Sequence, residues 1–210
     1  MKLVCIGRNY SDHAKELGNA IPGEPVVFLK PESALIPIGG PIVLPSFSSD
    51  IHHEIELVYS IIRKNGKAQA DKVSIGLDLT ARSLQQALKD SGLPWEKAKA
   101  FDGAAYVADA FVALESFPKG HHIDFMLKKN GHVAQSGHSG QTLFDVATLI
   151  ATVERYMTLQ PDDLLFTGTP AWRWADRGWR PTGRLYAGRT PLRLESGEGP
   201  FQAVGYLCRP

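Results

Sequence analysis

Ile51-His52-His53-Glu54-Ile55-Glu56-Leu57-Val58 runs on into Tyr59-Ser60-Ile61-Ile62, a stretch that is apolar enough to leave water yet carries two carboxylates. Its β-branched and aromatic residues read as a strand. On a strand, residues i and i+2 point the same way, so Glu54 and Glu56 share one face and His53, Ile55 and Leu57 the other. Two carboxylates held side by side repel each other, and burial makes the repulsion worse. The pair therefore belongs either to a solvent-facing edge or to a site where a cation lies between the two.

Asp78 sets the same problem again, as one acid within Ile75-Gly76-Leu77-Asp78-Leu79-Thr80. Three carboxylates with no cysteine nearby make a hard oxygen donor set suited to Mg²⁺ or Mn²⁺. His52 and His53 fit supporting roles better than ligation, because His53 points away from the glutamates.

Outward from this strand, Asn65-Gly66 is a hairpin turn signal. Leu3–Ile6, Val26–Leu29, Phe111–Leu114 and Phe125–Lys128 read as strands, and Asn130-Gly131 as a second hairpin turn. Residues 31–47 are rich in Pro, Gly and Ser and read as loops. Ser11 or Asp12 opens a short helix that Gly18 closes, and Arg82–Asp90 forms another ending at Gly92. Leu143, Val146, Ala147, Ile150 and Val153 recur at helical spacing, which predicts a helix over Leu143–Met157. Many short strands with a few helices make a β-rich α+β fold in a single domain.

Composition narrows the function. The 210 residues carry 23 basic and 22 acidic side chains, so the net charge of +1 gives no nucleic-acid or membrane surface. No stretch has the length of a membrane span, and the apolar start Met1–Gly7 is too short for a signal-peptide core. Cys5 and Cys208 lie at opposite ends and build no disulfide framework. The expectation is a cytoplasmic protein.

Several motifs occur in a recognisable order. They are C-I-G-R-N-Y-S-D-H-A-K-E at 5–16, F-L-K-P at 28–31, H-H-E-I-E-L at 52–57, L-D-L-T-A-R at 77–82, L-P-W-E-K-A-K-A-F-D at 93–102 and T-G-T-P at 167–170. Together they resemble the fumarylacetoacetate hydrolase family, above all its short acylpyruvase and oxaloacetate decarboxylase members. The resemblance implies a mixed β-roll or sandwich with a few helices, and a homodimer. It implies Glu54, Glu56 and Asp78 as metal ligands, His13 and Glu16 as a catalytic dyad, and Lys99 and Thr169 as active-site residues. Arg8, Lys30 and Arg82, inside matching motifs, are candidates to hold substrate carboxylates, and Gln135 borders the site from a hairpin.

The implied activity is metal-dependent hydrolysis of the C–C bond of an acylpyruvate through a metal-stabilised pyruvate enolate. His13 and Glu16, three apart on one helical face, would activate water, and Lys99 would stabilise the oxyanion. The alternatives are a decarboxylase, tautomerase or isomerase of oxaloacetate or a related keto diacid, or a ligand-binding relative without turnover.

Two departures stand out. Gly103 stands where many members have Thr. After T-G-T-P, the family pattern G-V-G-P, a spacer and G-D is replaced by A-W-R-W-A-D-R-G-W-R-P-T-G-R at 171–184. Read one base later, with Arg encoded as CGN, Trp172-Arg173, Trp174-Ala175 and Trp179-Arg180 each become Gly. The shifted frame then permits G-V-G-P-I-x-x-G-D. The chain from about residue 171 thus reads as a frameshifted tail, with a divergent C-terminus as the alternative. Resequencing of the coding DNA separates the two.

Overall fold

The computed structural model describes residues 1–171 apart from 17, 19, 130 and 131, the backbone alone at 14, 15, 129 and 132, and beyond 171 the backbone of Phe201–Val204. The expected break in reading frame falls outside the described residues. In chain order the strands are β1 (Leu3–Gly7), β2 (Val26–Lys30), β3 (Ile51–Lys64), β4 (Lys67–Ala81), β5 (Ala105–Val107), β6 (Val112–Ala113), β7 (Asp124–Lys129), β8 (His132–His138), β9 (Leu164–Phe166) and β10 (Phe201–Val204). The helices are α1 (Ser11–Glu16), α2 (Arg82–Asp90), α3 (Glu96–Lys99) and α4 (Val146–Glu154). This is the expected strand-rich mixture with few helices.

The β3–β4 hairpin is the spine. Asn65 and Gly66 both take positive φ, at 53° and 76°, as a two-residue hairpin turn requires. The turn sets Lys64 opposite Lys67, and the count runs unbroken to Ile61 opposite Ala70. Continued, it would put Glu54 opposite Leu77. Instead the register shifts between Ser60 and Ile61, where Asp71 is left over as a β-bulge, so Ser60 faces Lys72 and Glu54 faces Asp78. Opposite residues share a face. The bulge therefore brings Asp78 to the side of Glu54 and Glu56.

Among the described residues, β2-β1-β9-β3-β4-β5 form one sheet with β6 beside β4, and β10-β7-β8 form a second. The pair β1 and β9 is parallel, while the other pairings are antiparallel. Both faces of β3 are covered. Ile55, Leu57 and Tyr59 join Ile75, Leu77, Leu79 and Leu149 in the main core. On the other face Val58 packs with Leu3, Cys5 and Phe166. The glutamates precede Val58 on that second face, so neither meets open solvent.

Several elements differ from expectation, α3 and β5 among them because each is too short to show a period. Helix α4 is shorter than Leu143–Met157 because the Asp145 carboxylate accepts from Thr148 N at 2.8 Å and starts the helix there. The strand expected over Phe111–Leu114 shrinks to β6, since Leu114–Ser116 turn into a 3-10 helix. The three-residue β9, too short to show a period, sits in the middle of the sheet between β1 and β3.

Candidate metal and keto-acid site

The ends of β1 and β9 lie side by side because these strands run parallel in register, Leu3 with Leu164 and Cys5 with Phe166. One chain end leads into Arg8 and Asn9, the other into the T-G-T-P loop. Asn9, buried, ties them together: its Nδ2 donates to Thr167 O at 2.8 Å and to Phe144 O at 3.1 Å, and its Oδ1 accepts from Phe144 N at 2.9 Å. Gly168, at φ 95°, can turn its N–H onto Glu56 Oε2 at 2.7 Å. A Cβ there would lie 2.8 Å from Asn9 Cβ, so glycine is required.

Glu54, Glu56 and Asp78 are each nearly inaccessible, and one ligand atom from each lies within 4.8 Å of the others. Cations counter the charge. Lys99 Nζ donates to Glu54 Oε2 at 2.8 Å and to Asp78 Oδ2 at 2.6 Å. Arg82 Nη2 donates to Glu54 Oε1, Nη1 to Gln85 Oε1 at 2.6 Å and Nε to His52 Nδ1 at 3.3 Å. Lys30 Nζ lies 2.8 Å from Asp78 Oδ1, an ion pair whose alignment makes no hydrogen bond. The same ammonium donates to Ala104 O at 3.0 Å, to Leu79 O at 3.3 Å and to Lys99 O.

The two glutamates part company electrostatically. Burial alone would raise the Glu54 carboxyl, but Lys99 and Arg82 outweigh it and hold the group well below the usual carboxylate range. Glu56 goes the other way: burial, then the negative charge of Asp78, push its carboxyl well above that range. Lys99 is pulled down by burial and up more strongly by Asp78 and Glu54, so it stays protonated.

One cavity opens over this floor, and Arg8, His13, Arg82, Lys99, Thr169 and the three acids all line it. His13 Nδ1 is 3.6 Å from Glu16 Oε2 across one turn of α1. Glu16 stands behind His13 rather than on the wall. Among the described residues Lys30 and Gln135 also stay off the wall. Lys30 is buried beneath Asp78. Gln135 braces the loop instead, with Nε2 donating to Thr169 Oγ1 at 2.9 Å and Oε1 accepting from Ile55 N at 3.0 Å. Of the two histidines, His52 accepts from Arg82, and burial followed by Arg82 lowers its pKa.

The cavity wall also includes Phe28, Gln85, Lys89 and Trp95, which the sequence reading passed over. Lys89 looks like any helix-surface lysine in sequence. Its position seven residues after Arg82, two helical turns away on the same face, is the one signal that could have found it. Its Nζ sits 5.3 Å from the centre of the Trp95 ring. Burial and then the Arg82 and Arg8 guanidinium groups push its pKa down to about 8.

A cluster of buried carboxylates in a cation-lined cavity, beside the joined ends of parallel strands, is a donor set that could hold a hard cation. The model of the family described as fumarylacetoacetate (FAA) hydrolase C-terminal matches residues 2–194. The chain belongs to the fumarylacetoacetate hydrolase family, as the motif order led one to expect. It is 39% identical over 176 residues to the mitochondrial oxaloacetate tautomerase FAHD1 of Bos taurus, covering 80% of this chain and 79% of that one. It is 40% identical over 178 residues to the mitochondrial oxaloacetate decarboxylase of Dictyostelium discoideum, covering 81% of each. The crystal structure of fumarylpyruvate hydrolase from Pseudomonas aeruginosa, in complex with Mn²⁺ and pyruvate, superposes with a TM-score of 0.72 at 32% identity, covering 81% of this chain and 78% of that one.

Proposed function

We propose that the protein interconverts the enol and keto forms of oxaloacetate or a close 2-keto diacid, with a divalent cation held by Glu54, Glu56 and Asp78. The observation that carries this reading is His13 on the wall of the same cavity as the buried carboxylate triad. Two of the matching relatives, at 39% and 40% identity, act by name on oxaloacetate, which supports that substrate over an acylpyruvate.

The donor set fits the cation. Three buried oxygen ligands, with no sulfur or imidazole among them, suit Mg²⁺ or Mn²⁺. A cation bound there would supply Lewis-acid stabilisation of negative charge developing on the keto oxygen.

The remaining work falls to the chain. Enol and keto forms differ by one proton, moved between the C2 oxygen and C3, so the reaction needs no co-reactant. His13 is the group that takes and returns the C3 proton, and Glu16, 3.6 Å from its Nδ1, is placed to orient the ring. Arg82 and Lys99 keep Glu54 ionised and in place. Lys30 holds Asp78 from below, a positioning role in place of the carboxylate clamp expected from its motif. Thr169, braced by Gln135, closes the wall next to Arg8.

Hydrolysis of acylpyruvates is the second reading. The His13–Glu16 pair that moves a proton at C3 could equally deprotonate water, and the Pseudomonas aeruginosa neighbour is a fumarylpyruvate hydrolase by name. The test follows enol-oxaloacetate by ultraviolet absorbance with Mg²⁺ and with EDTA, while carbon dioxide and pyruvate are assayed in the same samples. Metal-dependent enol loss without carbon dioxide supports the tautomerase. Metal-dependent carbon dioxide release makes it a decarboxylase. Inertness toward oxaloacetate, with acetylpyruvate split into two acids, transfers the assignment to hydrolysis.

A further inference from the structure

The cavity is lined by more positive charge than its floor uses. Arg82 spends all three kinds of nitrogen on Glu54, Gln85 and His52. Lys99 spends its ammonium on Glu54 and Asp78. That leaves Arg8 and Lys89, neither of which has a carboxylate within ion-pair distance among the described residues. Arg8 follows the close of β1 in a left-handed backbone conformation at φ 60° and lines the cavity together with Thr169. Lys89 reaches in from the last turn of α2, half-buried, with its ammonium held over Trp95. A half-buried ammonium beside guanidinium groups, with no carboxylate in ion-pair distance among the described residues, is a ready partner for an anion.

We infer that Lys89 recognises the second carboxylate of the substrate, the one remote from the keto group, and so selects 2-keto diacids over 2-keto monoacids. This rests on the reading of the cavity as a keto-acid site. The 1-carboxylate and keto oxygen belong at the buried acids and their cation. The C4 carboxylate of a four-carbon diacid then lies toward the mouth, where the long flexible stem of Lys89 can follow it. The charged groups facing Lys89 are Arg82 on its own helix, Arg8 after β1, Glu54 on β3 and Lys99 on α3. Burial first and then these cations disfavour its proton and bring the pKa down to about 8, so an arriving carboxylate finds an ammonium that gains from being paired.

The experiment uses two ligands that do not react and differ by one carboxylate. Malate and lactate are titrated calorimetrically into the Mg²⁺-loaded protein, its Lys89→Met and Lys89→Arg variants, and Arg8→Gln. Wild type should bind malate tighter than lactate. Lys89→Met should weaken malate roughly tenfold to a hundredfold and leave lactate within about twofold, and Lys89→Arg should restore most of the difference. Malate affinity in the wild type should fall as pH rises through about 8, where Lys89 loses its proton, and stay flat across that range in Lys89→Met. Wild type that binds malate no tighter than lactate, or a preference abolished by Arg8→Gln and untouched by Lys89→Met, overturns the inference. Selective malate binding without turnover of oxaloacetate would sink the proposed reaction and leave the role of Lys89 standing.

Discussion

The floor and the wall of the cavity carry the same kinds of side chain under opposite conditions. On the floor, the buried Lys30 and Lys99 and the partly buried Arg82 are locked against Glu54 and Asp78. On the wall above it, Arg8 and Lys89 line the cavity without such partners among the described residues. A buried ion cluster is retained only where each charge is answered, since an unanswered one costs several kcal/mol, of order 3–5. A half-exposed cation can wait for its partner in solvent. The floor is built to hold acids in place and the wall to receive an anion.

Replacing Asp78 is the hardest blow to the floor. Asp78→Ala removes one donor of the triad and leaves the buried Lys30 and Lys99 ammonium groups without that partner, a loss of about 3–5 kcal/mol in stability. Mn²⁺ binding, followed by electron paramagnetic resonance, should vanish in a protein whose far-ultraviolet dichroism remains strand-like. Normal Mn²⁺ binding by that variant would remove Asp78 from the donor set.

His13→Gln addresses the wall. Turnover should fall roughly 10²- to 10⁴-fold with Mn²⁺ affinity unchanged. Equal loss of both would place His13 in the structure of the floor rather than in proton transfer. Glu56→Gln is gentler. The amide oxygen can still accept from Gly168, and no cation loses a partner, so the fold should hold while Mn²⁺ affinity drops by roughly a hundredfold. Retained affinity would remove Glu56 from the donor set.

The smallest expected effect lies away from both regions and serves as their control. Asp163 accepts from Lys2 N at 2.7 Å and from Gln160 N at 2.8 Å, and pairs with Lys2 Nζ at 2.7 Å. Burial raises its pKa, but these partners outweigh it and the net shift is downward. A lowered folded pKa means stability that is complete above the ordinary carboxylate pKa and lost as pH falls through the folded value. Asp163→Asn should cost about 1–3 kcal/mol at neutral pH and flatten the acid limb of the unfolding curve, with ligand binding intact. An unchanged acid limb would assign the acid sensitivity elsewhere.

The amino-acid sequence by itself determined the local pieces: the β3 strand with its paired glutamates, the Asn65-Gly66 turn, the His13–Glu16 spacing on one helical face, and the motif order that marks the family. Each depends on neighbours a few residues apart, and periodicity reports such neighbours directly. Only the tertiary structure decided how Asp78 joins the glutamates, because one bulged residue reverses which face a strand side chain takes and leaves no compositional trace. It also decided that Lys30 serves the floor, that the short β9 lies mid-sheet, and that Asn9 and Lys89 belong to the site. Those roles come from chain segments that meet across tens of residues, where spacing in sequence carries no information about distance in space.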